Sequence, residues 1–483
     1  MKKRFKIVNK FFVFTTLLST QCLAEIREFT PYIEPGIIYS NNVYQSANDE
    51  QSSFITSIEA GLYSRVLSDE QNFILKYNVK QLFYSHDSEE KDTYQKLFFT
   101  ADKKIHQSGL KIDTIATIYN ISESINNNPN ADIYSKNTIE SKNAEIGVSF
   151  LTNPRSNIDF NVRAYGIVTD NEDNVGNYDG YGATVDFNNG LNQKTFFWKS
   201  SGFYDEKRDR NDSSTTNRSY FTGTLGYQNQ YRVSPLVRVN YENYDGVSDL
   251  DSEEMFSWGP GIRYFITKYS YFELSYNFSE KESVSNFFGG GFNLAPSPRL
   301  LLNFNYDKRY FGDAYYFMLR NKSRRLINTV SYTEDTNNFD RDFYSTDDDI
   351  EVFTLNRRLE WLTELSGRLN RHALKIFYHE KDPINDNSSI EEEEGVGISL
   401  IGTYILSRRV EIKSEITYTR YKFDRSSSLI QKDAYFDFTL NGNYKVYRNV
   451  STKIAYDFNK RSSNIFNRKY SENRIYLDFK MEW

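Results

Sequence analysis

The segment Ile475-Tyr476-Leu477-Asp478-Phe479-Lys480-Met481-Glu482-Trp483 decides the fold. Its odd positions, Ile475, Leu477, Phe479, Met481 and Trp483, are apolar. Its even positions, Tyr476, Asp478, Lys480 and Glu482, are polar or amphipathic. A strand sends successive side chains to opposite faces, so this segment has one apolar face and one hydrated face. The alternation runs to the last residue and ends on an aromatic.

The same unit recurs back to about residue 30: roughly ten alternating residues, then a turn or loop. Phe54 to Val66, Phe73 to Phe83 and Ile158 to Val168 are clear cases. In the last, Ile158, Phe160, Val162, Ala164, Gly166 and Val168 share a face, and Asp159, Asn161, Arg163 and Tyr165 share the other. Connections alternate in length. Short turns include Ser68-Asp69-Glu70, His106 to Gly109, Thr152 to Arg155, Pro296-Ser297-Pro298 and Tyr447-Arg448-Asn449. Between them lie long acidic or Asn-rich segments: Ser85 to Thr93, Ser124 to Asn137, Asp170 to Asp179, Lys207 to Asn217, Asp335 to Asp349, Glu380 to Glu394 and Lys460 to Ser471. Short turns on one side and long loops on the other predict an all-β, antiparallel, up-and-down transmembrane barrel. Segmentation gives about 24 strands within a range of roughly 18–24. Ala314 to Trp361 is hard to divide.

The N-terminus reads as a secretory signal peptide over residues 1–24. Lys2, Lys3, Arg4, Lys6 and Lys10 form a basic region, Phe11 to Leu18 an apolar core, and Ala24 a cleavage point before Glu25. The apolar run is too short to span a bilayer. Gln21 stands where a lipoprotein signal wants a small residue before Cys22. Residues 25–483 then form a single barrel domain. Cys22 is the only cysteine, so cleavage leaves no disulfide, thiolate nucleophile or cysteine metal site. Alternation starts too near the cleavage point for a large N-terminal plug, and no helical periodicity supports a periplasmic tunnel.

Loss of the five basic leader residues takes the formal charge from −6 to −11. That balance argues against nucleic-acid binding, which needs a basic surface. Aromatics make up 16% of the chain, with 38 Tyr and 37 Phe. A hydrophilic average rich in aromatics fits a barrel whose strands face lipid on one side and water on the other, with aromatic girdles at both interfaces.

The C-terminal strand resembles the assembly signal of Gram-negative outer-membrane barrels, read by the barrel-insertion machinery through Ile475, Leu477, Phe479, Met481 and Trp483. Other segments resemble the β-barrel porin 2 group, which includes PEP-CTERM-system-associated barrels and the barrels of exopolysaccharide gene clusters. Pro31-Tyr32-Ile33-Glu34-Pro35-Gly36 leads through Ile38-Tyr39-Ser40 to Asn41-Asn42-Val43-Tyr44, similar to that family's first strand and turn. Phe54-Ile55-Thr56 opens a second strand and Leu82-Phe83-Tyr84 ends a third. Tyr456 in a strand, Arg461-Ser462-Ser463 in a loop, and Tyr470 with Asn473 also fit. The resemblance implies an outer-membrane channel conducting an exopolysaccharide outward, with lipid, lipopolysaccharide and periplasmic export proteins as partners. A diffusion porin for small solutes and a barrel adhesin or structural platform remain the alternatives. The expected state is a monomer without cofactor or enzymatic activity.

Candidate lumen-facing residues are Asp159, Arg163, Glu273, Glu411, Lys413, Glu415, Asp478 and Lys480. Their mixed signs argue against strong ion selectivity, and Tyr and Asn beside them suit sugar hydroxyls. His86-Asp87-Ser88 offers a His near a Ser without a third group to orient it. His372 and His379 lack metal-ligand spacing. Asp340, Asp342, Asp347, Asp348, Asp349 and Glu391 to Glu394 read as solvated loop charge. Phe287-Phe288-Gly289-Gly290-Gly291-Phe292 reads as a bend in the wall with aromatics covering the glycines, or as a place where a loop folds against it.

Overall fold

The computed structural model describes residues 26–483 apart from 88, 106–107, 124–130, 137, 153–154, 191, 212–213, 229–231, 246–252, 268–269, 282–283, 338–352, 385–391 and 425–429. The expected signal peptide and the Asp340–Asp349 run lie outside the described residues. Among those described there are 24 strands and no helix.

The first eight strands are β1 (Ile26–Ser40), β2 (Ser53–Leu67), β3 (Gln71–Tyr84), β4 (Lys91–Lys104), β5 (Leu110–Ser122), β6 (Thr138–Leu151), β7 (Ile158–Asn171) and β8 (Tyr178–Asn189). The next eight are β9 (Phe196–Asp209), β10 (Thr215–Tyr227), β11 (Val233–Asp245), β12 (Glu253–Thr267), β13 (Ser270–Ser279), β14 (Phe287–Ser297), β15 (Leu300–Arg309) and β16 (Gly312–Lys322). The last eight are β17 (Leu326–Asn337), β18 (Thr354–Ser366), β19 (Asn370–Pro383), β20 (Glu392–Ile405), β21 (Val410–Asp424), β22 (Gln431–Lys445), β23 (Val450–Ser463) and β24 (Tyr470–Glu482). Each pairs antiparallel with its sequence neighbours, and β1 closes the sheet on β24, from Tyr32 opposite Glu482 to Ser40 opposite Arg474. Closure removes the free edges, whose unpaired backbone groups hydrocarbon would not tolerate.

The two faces of this closed sheet differ as the alternation requires. On β24, Ile475, Leu477, Phe479, Met481 and Trp483 are 38–62% exposed, whereas Glu472, Arg474, Tyr476 and Asp478 are at most 7% exposed. The concave inner face carries the second set. Phe256, Trp258, Ile262 and Tyr264 on β12, and Phe272, Leu274, Tyr276 and Phe278 on β13, continue the outer face. That face ends in tyrosines. Tyr204, Tyr332 and Tyr378 donate to Glu206, Glu334 and Glu380, each two residues nearer the long-loop end, at 2.8, 2.5 and 2.9 Å. Ring in the apolar belt and hydroxyl at the polar boundary is the usual place of an interfacial tyrosine.

The long connections all fall at one end, which also carries the two-residue β15–β16 turn, and no connection at the other end exceeds six residues. The strands nevertheless run further than the sequence boundaries place them. Paired backbone continues to Asn171, Asp209, Pro383 and Ser463, inside segments expected as loops. A lipid-spanning strand needs only about 9–11 residues, yet β1 has 15. The polar ends extend the wall beyond the apolar belt because their backbone still pairs. Arg461-Ser462-Ser463 therefore lies in β23, with Ser463 opposite Asp433, and not in a loop. The turn expected at Pro296-Ser297-Pro298 moves to residues 298–299, because a register shift between Leu294 and Ser297 absorbs Pro296 within β14. Bulges accept a residue without a donor N–H. In the stretch from Ala314 to Trp361, of which 338–352 lie outside the described residues, Asn328 interrupts the apolar outer face of β17 and accepts from Thr363 Oγ1 of β18 at 2.7 Å.

Candidate functional site

Two systems of inward side chains gather toward the long-loop end. The first lies at the β24–β1 seam. Ile38, Val43, Ile55, Leu82, Tyr84, Ala455 and Tyr476 form an apolar cluster inside the wall. Residues 131–136, between β5 and β6, fold down onto it. This piece begins and ends in left-handed backbone, at Ala131 (φ 49°) and Lys136 (φ 68°). Tyr134 and Tyr94 pack against the cluster, and the Tyr134 ring meets Tyr476 at 6.1 Å. Lys80 Nζ donates to Tyr134 OH at 3.1 Å, and Tyr94 OH donates to Ile133 O at 2.7 Å. Burial pushes the Tyr134 phenol up from its ordinary pKa and pulls the Lys136 amine down.

Charge fixes the same loop. Arg474 is 3% exposed and ion-pairs with Glu472 on its own strand and with Asp132 of the loop. Gln45 Nε2 donates to both Asp132 and Glu472, at 3.0 and 3.1 Å. Ser40 Oγ donates to Glu472 at 2.6 Å. Lys136 ion-pairs with Glu90, whose carboxylate also takes Tyr44 OH at 2.8 Å. An arginine this deep is tolerated only when paired and hydrogen-bonded. Here the pairing ties a loop between β5 and β6 to the last strand.

The second system is a lobe, β9–β17, whose facing walls touch. Arg238 on β11 meets Asp307 on β15 at 2.8 Å. Four strand spacings separate them, about 19 Å along the sheet, so the wall must curl for an arginine to reach. Arg309 Nε donates to Glu242 at 2.6 Å and its Nη2 to Tyr244 OH at 2.9 Å. Tyr244 OH also shares a hydrogen bond with Thr336 Oγ1 at 3.0 Å, and Arg218 donates to Thr336 O. Nearer the short-turn end, the Arg263 guanidinium lies 3.9 Å over the Phe197 ring. Gly289 marks the curl: a Cβ there would come within 2.6 Å of Asn277 Nδ2 and 3.3 Å of Arg238 Nη1. The glycines of Phe287–Phe292 sit where the wall turns, while Phe288 and Phe292 pack on Tyr276, Phe272 and Phe304.

Around β21 the inner face is wet. Lys413 pairs with Glu411 at 3.1 Å, with side chains 52% and 38% exposed, and Glu415 is exposed on the same face of β21. Lys480 pairs with Glu482 at 2.7 Å, over the Tyr32 ring. Asp478 faces Lys453 at 3.6 Å, and a Cβ on Gly36 would overlap its Oδ1, so β1 makes room for the carboxylate. Arg163 is held by Asp113 and Glu145, and Glu273 by Arg263 at 2.6 Å. Asp159 shares the Arg163 side of β7, half-buried. The sequence-derived set is thus spread around the wall rather than gathered. Arg474, Asp132, Arg238 and Asp307 are absent from it, because alternation tells which face a residue takes and not which distant wall it meets. Two histidines join the structural pairs: His86 bonds Tyr44 OH at 2.7 Å and Glu90 at 3.0 Å, and His379 bonds Glu393 at 2.9 Å.

No protein-family model and no curated protein matches the sequence. Solved structures do. The FrpB iron transporter from Neisseria meningitidis is similar in its F3-3 variant, with TM-score 0.52 and 8% identity, over 95% of this chain and 82% of that one. Its F5-1 variant is similar with TM-score 0.51 and 8% identity, over 95% and 83%. The ferric enterobactin receptor PfeA from Pseudomonas aeruginosa, in a mutant form complexed with enterobactin, gives 0.48 and 9%, over 94% and 81%. The chain has the fold of a large outer-membrane β-barrel. At 8% identity the likeness is one of fold.

Proposed function

We propose that the protein is a gated channel of a Gram-negative outer membrane that conducts an exopolysaccharide outward. One observation carries the gating: at the long-loop end the barrel's own side chains hold residues 131–136 inside the wall, through Asp132, Tyr134 and Arg474, while the inner face around Lys413 stays hydrated. Barrels of 16–18 strands already leave an aqueous channel, and 24 strands need an internal closure to avoid leakage. The polymer comes from the resemblance to the exopolysaccharide-cluster barrels. Inner-face Tyr and Asn suit its hydroxyls. In this reading the apolar outer face contacts lipid and lipopolysaccharide, the terminal strand engages the insertion machinery, and periplasmic export proteins deliver polymer to the short-turn end.

A passive diffusion porin is the second reading, favoured by the mixed, water-exposed charges of Glu411, Lys413 and Glu415, which would suit any hydrated solute path. Gene deletion separates the two. Export predicts loss of surface polysaccharide with normal uptake of small nutrients. Normal polysaccharide with impaired uptake would replace export by diffusion.

A further inference from the structure

Between the facing walls of the β9–β17 lobe lies a cavity of about 490 Å³, within the roughly 300–1,000 Å³ of small-molecule sites. Two inward residues of β11 face it with unused polar atoms. Asn240 is 7% exposed; its Oδ1 accepts from Thr222 Oγ1 at 2.7 Å, and its Nδ2, although near the Asp307 carboxylate, completes no hydrogen bond. Glu242 is 3% exposed; its Oε1 accepts from Arg309, and its Oε2 has no partner in hydrogen-bonding geometry. A buried polar atom left unpaired is destabilising. A donor and an acceptor left so on one cavity wall are groups that a hydroxylated guest can satisfy together.

The guanidinium groups and the buried carboxylates of the lining are paired, while Lys308 and Asp335 also line it and Glu334 accepts from Tyr332 OH. Arg218 donates to both carboxylate oxygens of Asp205, at 2.6 and 3.0 Å, Arg309 is held by Glu242, and Asp307 by Arg238. An anionic guest would have to break one of these desolvated pairs, and a cationic guest would meet the guanidinium groups. Phe203 and Tyr220 are stacked along one side, with centroids 5.8 Å apart and planes at 28°, and the Arg218 and Arg309 guanidinium groups lie 5.0 and 5.2 Å over them, leaving the ring edges toward the cavity. Aromatic walls with a few convergent amides are the pattern that receives the apolar face and the hydroxyl rim of a sugar ring.

We infer that this cavity is a binding site for neutral sugar units, with Asn240 and Glu242 as the hydrogen-bonding pair. The inference rests on the export reading for its choice of a polyhydroxylated chain and adds to it the site and the charge class of the sugar. The test is calorimetric titration of the purified full-length barrel with maltohexaose, laminarihexaose and an oligogalacturonate of equal length. At least one neutral oligosaccharide should bind about tenfold or more tightly than the acidic one, because loss of one buried charge pair costs at least that much. Asn240→Leu, and separately Asn305→Leu on β15, which lines the cavity across from β11, should each weaken neutral binding by about tenfold. Heat-modifiable migration identifies which variants are folded, and the two positions test the site independently. Equal affinity for neutral and acidic chains, no neutral binding, or wild-type binding in the folded variants would overturn the assignment. Surface polysaccharide in the deletion strain reports on export separately. Neutral binding by a barrel whose deletion leaves polysaccharide intact would keep the site and remove the export role.

Discussion

Arg238 and Lys413 are both inward cations on alternating strands, yet they live in opposite environments. The Arg238–Asp307 pair is 7% and 11% exposed and joins strands four apart. The Lys413–Glu411 pair is 52% and 38% exposed and stays on one strand. Two further inward charges on β18–β23 resemble the second case, Arg358 at 55% and Lys453 at 42% exposed, whereas the Arg461–Asp433 pair is buried at 5% and 0% but joins neighbouring strands, not facing walls. The β9–β17 lobe thus uses charge as a brace between walls, and the opposite arc uses it to keep water in the lumen. Which role a residue plays depends on the local curvature of the sheet, since only a tightly curled wall brings distant strands within reach of one side chain.

The sharpest test compares one truncation from each region. Arg238→Leu leaves Asp307 buried and unpaired, and removing one member of such a pair costs about 3–5 kcal/mol. Lys413→Ala removes an exposed partner, for which about 1 kcal/mol or less is expected. Denaturant titration of the folded barrel in detergent, followed by loss of the heat-modifiable band, measures both. Equal midpoints would mean that the lobe is no more braced than the arc.

The next largest effect concerns the faces that both regions share. Phe160, Val162, Phe256, Ile412 and Phe479 occupy the outer face, whereas Asp159, Arg163, Lys413 and Asp478 occupy the inner one. Arg at Ile412 should cost roughly 2–4 kcal/mol in the bilayer, and Arg at Glu415 far less. Single cysteines at these positions, challenged with a membrane-impermeant thiol reagent, give the same answer without a stability measurement. Stronger labelling of the outer set would invert the register of the wall.

Strand number, the single sheet and the sidedness of the connections were legible because each follows from local period and loop length. Val410 to Tyr418 and Val233 to Tyr241 alternate equally well, so nothing in either marks the one as hydrated and the other as braced. The curl left two traces: Gly289-Gly290-Gly291, and β13–β16, which have only 10 or 11 residues each where β1 has 15. The inward fold of residues 131–136 left none. It depends on Asp132 meeting Arg474, 342 positions away, and no periodicity reports a contact of that separation.

That loop is a third region, intermediate between brace and vestibule, and its expected effect is on occupancy rather than on stability. Asp132→Asn withdraws the loop's charge from Arg474 while Glu472 still compensates the arginine, so the wall should stay folded. A hydrogen bond to a charged group contributes about 1.5–3 kcal/mol, which corresponds to roughly a 10- to 100-fold rise in open probability. Planar-bilayer recordings should therefore show a mostly silent wild type and an active variant. A double Asp132→Cys, Arg474→Cys barrel should close under oxidant and reopen on reduction. Indifference of the current to both changes would leave the β9–β17 lobe, not the loop, as the closure.

The smallest effect should arise at the vestibule. Lys413→Glu reverses a charge beside Glu411 and Glu415, so cation preference should increase. Both partners are largely in water, and exposed pairs are worth about 0.2–1 kcal/mol, which bounds the change in permeability ratio at about fivefold. Screening should shrink it further: with a Debye length near 3 Å at 1 M salt against about 10 Å at 0.1 M, the ratio should return almost to the wild-type value in concentrated salt. Reversal potentials across a salt gradient, taken at both concentrations in the Asp132→Asn background so that current is measurable, read this directly. A salt-insensitive shift above about tenfold, well beyond what an exposed pair supplies, would mean that the ion path narrows at Lys413. The arc around β21 would then be a selectivity constriction, and the contrast between a braced lobe and a hydrated vestibule would have to be redrawn.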